Sequence, residues 1–332
     1  MRIQVKSNIR DYEVIIERNS ISKLQEYFSF EGKVMIITDE NIPLTYIQEV
    51  KKTIQKCYVY TVKAGDQSKS LEVYQAIIKE LLYLHFDKFD CLIALGGGMI
   101  GDLTGFVASS YKRGIAYINV PTSTLAQIDS SIGGKVALNC HGVKNCIGFF
   151  YPAYKVIIDV NLLKTLPARH YYAGLVEALK AGILQDQTLY TLFKNQEVDT
   201  RIEEVIYRAL MVKKKIIEMD EFDKNQRKLL NLGHTIGHAL ESSSKFHLLH
   251  GEAVAYGLLK MIDDFTLQKE VCRIIDSLQI DLHNIKYDKN SILEYVLNDK
   301  KIDHDKIDLV RVKGIEDCFL QRISLKELGD LL

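Results

Sequence analysis

Four of the chain's histidines, His234, His238, His247 and His250, fall in the stretch RKLLNLGHTIGHALESSSKFHLLHGE, which runs from Arg227 to Glu252. Within it, residues 231–241 carry Leu232, Ile236, Ala239 and Leu240 at helical spacing, which predicts a helix. On that helix His234 and His238 are four apart and share one face. Two imidazoles so placed suit a divalent ion such as zinc. They suit equally well two hydrogen-bonded histidines on an amphipathic helix, because HxxxH without the glutamate of HExxH is a weak motif. Gly233 and Gly237 each cost about 1 kcal/mol of helix stability relative to alanine, so something is expected to approach the backbone there.

A second chemical feature is the run Leu92-Ile93-Ala94-Leu95 followed by Gly96-Gly97-Gly98-Met99-Ile100-Gly101-Asp102. It reads as a strand, a glycine turn and a helix over residues 100–109. Gly96, Gly98 and Gly101 have G-x-G-x-x-G spacing, and backbone amides at such a helix start favour a pyrophosphate. The acid that usually follows about 20 residues later is absent, but Asp39 ends an earlier strand candidate. An acid beside the ribose favours NAD over NADP, because it bonds a 2′-hydroxyl and repels a 2′-phosphate. The alternative is a plain strand-to-helix turn.

Between these features lies VPTSTLAQIDSSIGGK, residues 120–135, dense in small polar groups, with Lys144 and Asn145 shortly after. Polar runs between apolar strands line sites, since a buried polar group needs a partner. Lys135, Lys144 and Asn145 offer charge-assisted bonds to a phosphate. Further on, Glu177 sits among Ala173, Leu175, Val176 and Ala178, with Lys180 three residues away. A surface ion pair of this kind is worth little. A buried carboxylate needs a strong partner, and a metal would serve.

The elements that must position these groups change in texture along the chain. Residues 33–38, 57–62, 91–95, 116–120 and 156–158 read as strands, and residues 44–55 and 70–85 as helices between them. Strands joined by helical crossovers predict a parallel sheet covered on both faces. From residue 168 to 278 nearly everything reads as helix, and residues 307–324 read as a small hairpin. The expectation is an α/β Rossmann-like domain over 1–160 and a mostly α-helical metal- and substrate-binding domain over 161–332.

Bulk numbers narrow the class. Lys+Arg and Asp+Glu are both 43, so a general binder of nucleic acid or anionic membrane is not expected. The 6 cysteines make no CxxC pair, which fits free thiols in a reducing, cytoplasmic setting. The start, MRIQVKSNIRDYEVIIER, alternates like strands and has no signal-peptide core. No apolar run approaches a membrane span.

Taken together, LGGGMIGDLTGF, VPTSTLAQIDSSIGGK, KNCIGFFYP, AGLVEALKAGI, RKLLNLGHTIGHALE and HGEAVAYG resemble the 3-dehydroquinate synthase family of sugar-phosphate cyclases, distantly similar to iron-dependent alcohol dehydrogenases. The match runs from about Asp39 to Lys301. The resemblance implies a zinc (or cobalt) site of Glu177, His234 and His250, with His238 facing substrate instead of metal. It implies conversion of 3-deoxy-D-arabino-heptulosonate 7-phosphate (DAHP) to 3-dehydroquinate and phosphate, in the shikimate pathway. The steps are transient oxidation by NAD+, β-elimination of phosphate, re-reduction, ring opening and an intramolecular aldol closure.

Residue by residue, the resemblance gives substrate hydroxyls and carboxylate to Asp129, Lys180, Lys213 and Arg227. It gives the phosphate to Lys135, Asn145, Asn231, His238 and Lys301 (or its neighbour Lys300), with Arg113 reaching over from the second subunit of a homodimer. Of these, Lys135, Lys180, His238, Asn231 and Arg227 carry the catalytic roles. NAD contacts map to Asp39, Asn41, Asp66, Lys69, Gly97 and Gly98, and to Asp102, Thr122, Ser123, Lys144 and Thr165. Asp66 stands where the family usually has glutamate, one methylene longer. Competing readings are a cyclase of a neutral sugar phosphate, a simple polyol dehydrogenase and a non-catalytic binding module. Lys213 and Arg227 argue against the first, the phosphate-binding lysines against the second, and the intact motif set against the third.

Overall fold

The runs Val34–Asp39 (β3) and Cys91–Gly96 (β5) are buried at every position. A strand turns alternate side chains to opposite faces, so such runs belong inside a sheet covered on both sides. In the computed structural model, which describes residues 1–29, 31–244, 247–282, 285, 287–297 and 306–332, they do. The other strands of that sheet are Arg2–Val5 (β1), Tyr12–Ile16 (β2), Cys57–Val62 (β4), Ala116–Pro121 (β6) and Lys155–Ile158 (β9). Lys135–Cys140 (β7) and Val143–Phe150 (β8) form a separate antiparallel hairpin. The sheet order is β1-β2-β9-β6-β5-β3-β4. β1 runs antiparallel at one edge, and all other pairs are parallel.

Leu24–Tyr27 (α1), Leu44–Lys52 (α2), Leu71–Tyr83 (α3) and Gly98–Ser110 (α4) cover this sheet. On one face Ile36, Ile93, Leu95, Ile118 and Val120 pack with Leu24, Ile47 and Val50. α4 lies against β5 and β6, with Ile100, Leu103 and Val107 wholly buried. The chain goes from β3 to β4 on one side and then to β5 on the other. That reversal opens a crevice outside the carboxyl ends of β3 and β5, the usual ligand position in such sheets.

The chain divides into two compact units, Met1–Leu166 and Pro167–Leu332. The division lies six residues beyond the change in sequence texture, because the 3-10 turn Val160–Thr165 places Leu162 in the sheet's core. The second unit holds Ala168–Gln185 (α5), Gln187–Lys194 (α6), Ile202–Met219 (α7), His234–Ser243 (α8), His250–Met261 (α9), Phe265–Ser277 (α10), Lys289–Leu297 (α11) and Leu325–Leu331 (α12). Lys306–Gly314 (β10) and Asp317–Ser324 (β11) supply its hairpin.

Two expectations change. The histidine helix does not begin at Asn231. Gln226–Asn231 is a 3-10 turn, and Gly233, at φ 78°, breaks the path before α8 starts at His234. What approaches the glycines is α9, not a ligand: a methyl on Gly257 would lie 2.0 Å from the Gly233 carbonyl oxygen, and one on Gly237 3.1 Å from the Val254 backbone. The polar stretch after residue 135, to which the sequence assigned no strand, also takes regular form. It is the β7–β8 hairpin, turned at His141 and Gly142 with φ of 48° and 79°.

Candidate functional site

In the second unit, α5 presents Glu177 and Lys180 from a run, Ala173–Leu184, that is buried throughout. Glu177 is 2% exposed and contacts Lys180 Nζ, which also donates to the Leu230 carbonyl at 2.7 Å. Neither Glu177 oxygen accepts a well-formed hydrogen bond among the described residues. Burial alone would push this carboxyl up; the Lys180 ammonium, with His234 and His250, holds it well below the usual carboxylate range. A buried anion with spare acceptor capacity calls for a cation.

The imidazoles supply matching donors. His234 opens α8 and His250 opens α9, and each turns Nε2 toward Glu177 Oε1 at 3.6 Å. Two ligand atoms about 2.1 Å from a tetrahedral ion lie roughly 3.4 Å apart, so these separations fit one shared zinc-sized ion. The opposite ring nitrogens are tied down. His234 Nδ1 lies 3.1 Å from the Leu232 carbonyl, and His250 Nδ1 lies 3.0 Å from Glu241 Oε2. Burial, then the Lys180 charge, pushes the His234 pKa well below the ordinary imidazole value. Burial would do the same to His250, but the carboxylates of Glu177 and Glu241 override it and raise its pKa to about 9.

His238 joins this group, with ring centroids 5.2 Å from His234 and 5.5 Å from His250. The three imidazoles have nitrogens within 4.8 Å of one another, the one such cluster of metal-ligating groups among the described residues. Glu177 sets a carboxylate oxygen opposite two of these imidazoles. Both tied histidines aim at its carboxylate, and the anion needs the charge. His247, the fourth histidine of the stretch, is exposed.

In the same unit Lys213 on α7 is 8% exposed and Arg227 is 4% exposed. Arg227 donates to the Glu221 carbonyl, while its backbone N–H donates to Asp220 Oδ2 at 3.1 Å. Asn231 ends the same 3-10 turn, half-buried. Lys301 and Lys300 lie outside the described residues. Sequence reading missed Arg169, whose guanidinium clamps Glu252 at 2.6 and 2.7 Å and donates to the His247 carbonyl at 2.8 Å. Glu252 also accepts the Leu249 N–H at 2.8 Å, fixing the entry to α9 just before His250. The recognisable signal was glutamate at the third position of a helix.

In the first unit the expected NAD residues fall into two groups. Asp39 ends β3, accepts the Asn41 N–H at 3.0 Å and is 8% exposed; burial pushes its carboxyl up. Beside it Gly97 caps α4 and Gly98 opens it, while the Thr122 N–H donates to the Gly96 carbonyl at 2.9 Å. A methyl on Gly97 would stand 3.4 Å from Ser123 Oγ, and one on Gly98 3.0 Å from Ser130 Oγ. Side chains there would fill the cradle at the head of α4, so the glycines fit a pyrophosphate seated on the helix start.

The second group is knitted by charge. Lys69 Nζ donates to Asp102 Oδ2 at 2.6 Å, and Lys144 Nζ lies 3.6 Å from Asp66 Oδ2. Asn139 donates to Asp66 Oδ2 at 2.9 Å, so the shorter Asp66 is held against the hairpin. Thr165 is exposed and bonded to Tyr46 OH at 3.1 Å.

Of the remaining positions, Asp129 sits half-buried on a π turn, Ala126–Ser130, anchored by buried Gln127. Such turns recur at functional sites. Lys135 and Asn145 stand at opposite ends of the β7–β8 hairpin, Lys135 opposite Phe150 and Asn145 in the bulge near the turn with φ 52°. Arg113 is exposed on a turn where Lys112, Arg113 and Gly114 all have positive φ.

The comparisons with known proteins bear on this geometry. A family model described as 3-dehydroquinate synthase N-terminal matches residues 59–173, and one described as 3-dehydroquinate synthase C-terminal matches 174–302. The 3-dehydroquinate synthase of Clostridium acetobutylicum is 36% identical over 349 residues, covering 98% of this chain and 97% of the relative. The chain belongs to the 3-dehydroquinate synthase family. A Coxiella burnetii member is 35% identical, covering 100% of this chain and 98% of its own length. Among solved structures, 2-deoxy-scyllo-inosose synthase with carbaglucose-6-phosphate, NAD+ and Co2+ superposes with TM-score 0.87 at 22% identity, covering 100% of this chain and 99% of that one. The 2-epi-5-epi-valiolone synthase of Streptomyces hygroscopicus, with NAD+ and Zn2+, gives 0.88 at 20%, covering 100% and 98%. These two show that this chain has the fold of the sugar-phosphate cyclases.

Proposed function

We propose that this chain is an NAD- and divalent-metal-dependent lyase converting DAHP to 3-dehydroquinate and phosphate, the shikimate-pathway step of its family. The observation that carries the reading is Glu177: buried, charged, and faced at equal distance by the Nε2 atoms of His234 and His250. These three residues would hold zinc or cobalt, which would supply a Lewis acid open to a substrate oxygen. When bound, a metal there would polarise a substrate hydroxyl, and NAD+ would supply a reversible acceptor for the hydride on the carbon bearing it.

The chain's own residues bind and orient. Arg227 offers a planar fork to the substrate carboxylate, with Lys213 as a second cation. Asp129 and Lys180 take hydroxyls. Lys135, Asn145, Asn231 and His238 take the phosphate, joined by Lys301. Asp39 and Asn41 take a ribose, the amides at Gly97 and Gly98 the pyrophosphate, and Asp66, Lys69, Asp102, Thr122, Ser123, Lys144 and Thr165 complete the cofactor's contacts. We propose further that the protein works in the cytoplasm as a homodimer, Arg113 of each subunit serving the other's site. No described helix is long and apolar enough to cross a membrane.

The test is incubation with zinc, DAHP and a catalytic amount of NAD+. Phosphate should be released far beyond the NAD+ supplied, with a product of 3-dehydroquinate mass and no net NADH. A chelator should abolish release and added zinc or cobalt restore it. Turnover of glucose 6-phosphate but not DAHP would place the chain instead with the cyclases of neutral sugars, a reading that two buried cations, Lys213 and Arg227, oppose.

A further inference from the structure

α8 carries His234, His238 and Glu241 at positions i, i+4 and i+7, a single stripe along one face. The close crossing of α8 and α9 lays His250, the first residue of α9, against that stripe. The result is unequal support for the two tied histidines. His234 Nδ1 meets a backbone carbonyl, whereas His250 Nδ1 meets the carboxylate of Glu241, whose side chain is 14% exposed.

We infer that Glu241 is the positioning residue of this centre: by accepting a hydrogen bond from His250 Nδ1 at 3.0 Å it fixes the ring with Nε2 turned to the metal position. The physical case has three parts. An imidazole can present either nitrogen, and only a partner on the far side decides which one. His250 is the first residue of α9, so its ring is placed by side-chain partners and not by the backbone ladder. A carboxylate, unlike the carbonyl serving His234, also strengthens the ring as a donor by its negative charge. Arg169 and Glu252 hold the backbone at Leu249, so Glu241 is left with the ring itself.

The inference rests on the metal reading above, and the experiment separates the two. Zinc dissociation constants are measured by competition with a chromophoric chelator for the parent, Glu241→Ala and Glu241→Gln. The alanine variant should bind zinc about 10- to 100-fold more weakly. Glutamine keeps an acceptor oxygen in place and should recover most of the loss. NAD+ affinity should be unchanged in both. Parent-like zinc affinity in the alanine variant overturns the inference, as does a loss that glutamine leaves unrecovered. Should Glu241→Ala fail to fold, the visible bands of the cobalt-loaded Glu241→Gln protein decide. Replacing an anion by an amide on Nδ1 should shift them, and unshifted bands overturn the inference. A parent that binds neither zinc nor cobalt defeats the metal reading itself.

Discussion

His238 lies close enough to His234 and His250 to make a three-imidazole site, yet its expected place is on the substrate side. The two arrangements predict different losses. If Glu177, His234 and His250 hold the ion, His238→Ala keeps zinc at parent stoichiometry while kcat falls roughly 100-fold, the scale of one lost proton-handling group. Glu177→Ala should lose zinc as well as activity. Atomic absorption after dialysis, with phosphate release alongside, reads both; a zinc-free His238 variant would make it the third ligand. At this scale the sequence showed the histidine pair but not its division of labour. That division depends on where the far ring nitrogens go, to Leu232 and Glu241, and spacing along a helix says nothing of it. Glu177 was visible because a carboxylate among Ala173, Leu175 and Val176 has to be explained. The burial of Lys213 and Arg227 was not visible, since long cationic chains are ordinarily surface groups.

At the level of elements, α8 and α9 must touch backbone to backbone for their first residues, His234 and His250, to share one carboxylate. Gly257→Ala should therefore act on both stability and metal. Its methyl meets the Gly233 carbonyl oxygen at 2.0 Å, which no rotamer relieves. The helices must part, at a cost of about 2 kcal/mol or more, read from urea midpoints. Zinc affinity should fall with it, and an unchanged midpoint would refute the crossing. The sheet edge offers a pH test. Burial would raise the Glu13 carboxyl, but Lys155 at 2.8 Å and Arg2 at 3.3 Å hold it below its ordinary 4.5. A carboxyl lowered on folding stabilises above its unfolded pKa, and the benefit disappears as pH falls through the folded one. Glu13→Gln should cost about 1 kcal/mol at neutral pH and progressively less below about 4.5, in urea melts at each pH. Largely apolar strands such as β3 and β5 were legible from sequence, as were the long helices. The β7–β8 hairpin was not. Its turn uses His-Gly where Asn-Gly or Asp-Gly would announce two positive φ values, and the bulge at Asn145 breaks the alternation.

For the whole molecule, the question is whether one subunit suffices. The bend at Lys112, Arg113 and Gly114 holds two non-glycine residues at φ 52° and 65°. Such a conformation costs free energy and persists where the surroundings impose it. Here it leaves the Arg113 side chain exposed, away from any role in its own core. If Arg113 completes the phosphate site of a neighbour, two inactive variants can repair each other. In a twofold dimer mixing Arg113→Ala with Glu177→Ala, one site has the intact Glu177 of its own subunit and the intact Arg113 of the other. The second site has neither. Random assortment makes half of the dimers mixed, each with one working site of two, so about a quarter of parent activity should return. Co-expression of the two variants, with phosphate release set against either variant alone, reads this directly. If Arg113 serves its own subunit, every mixed dimer carries one defect in each site and no activity returns, which would refute the shared site and leave the metal centre untouched.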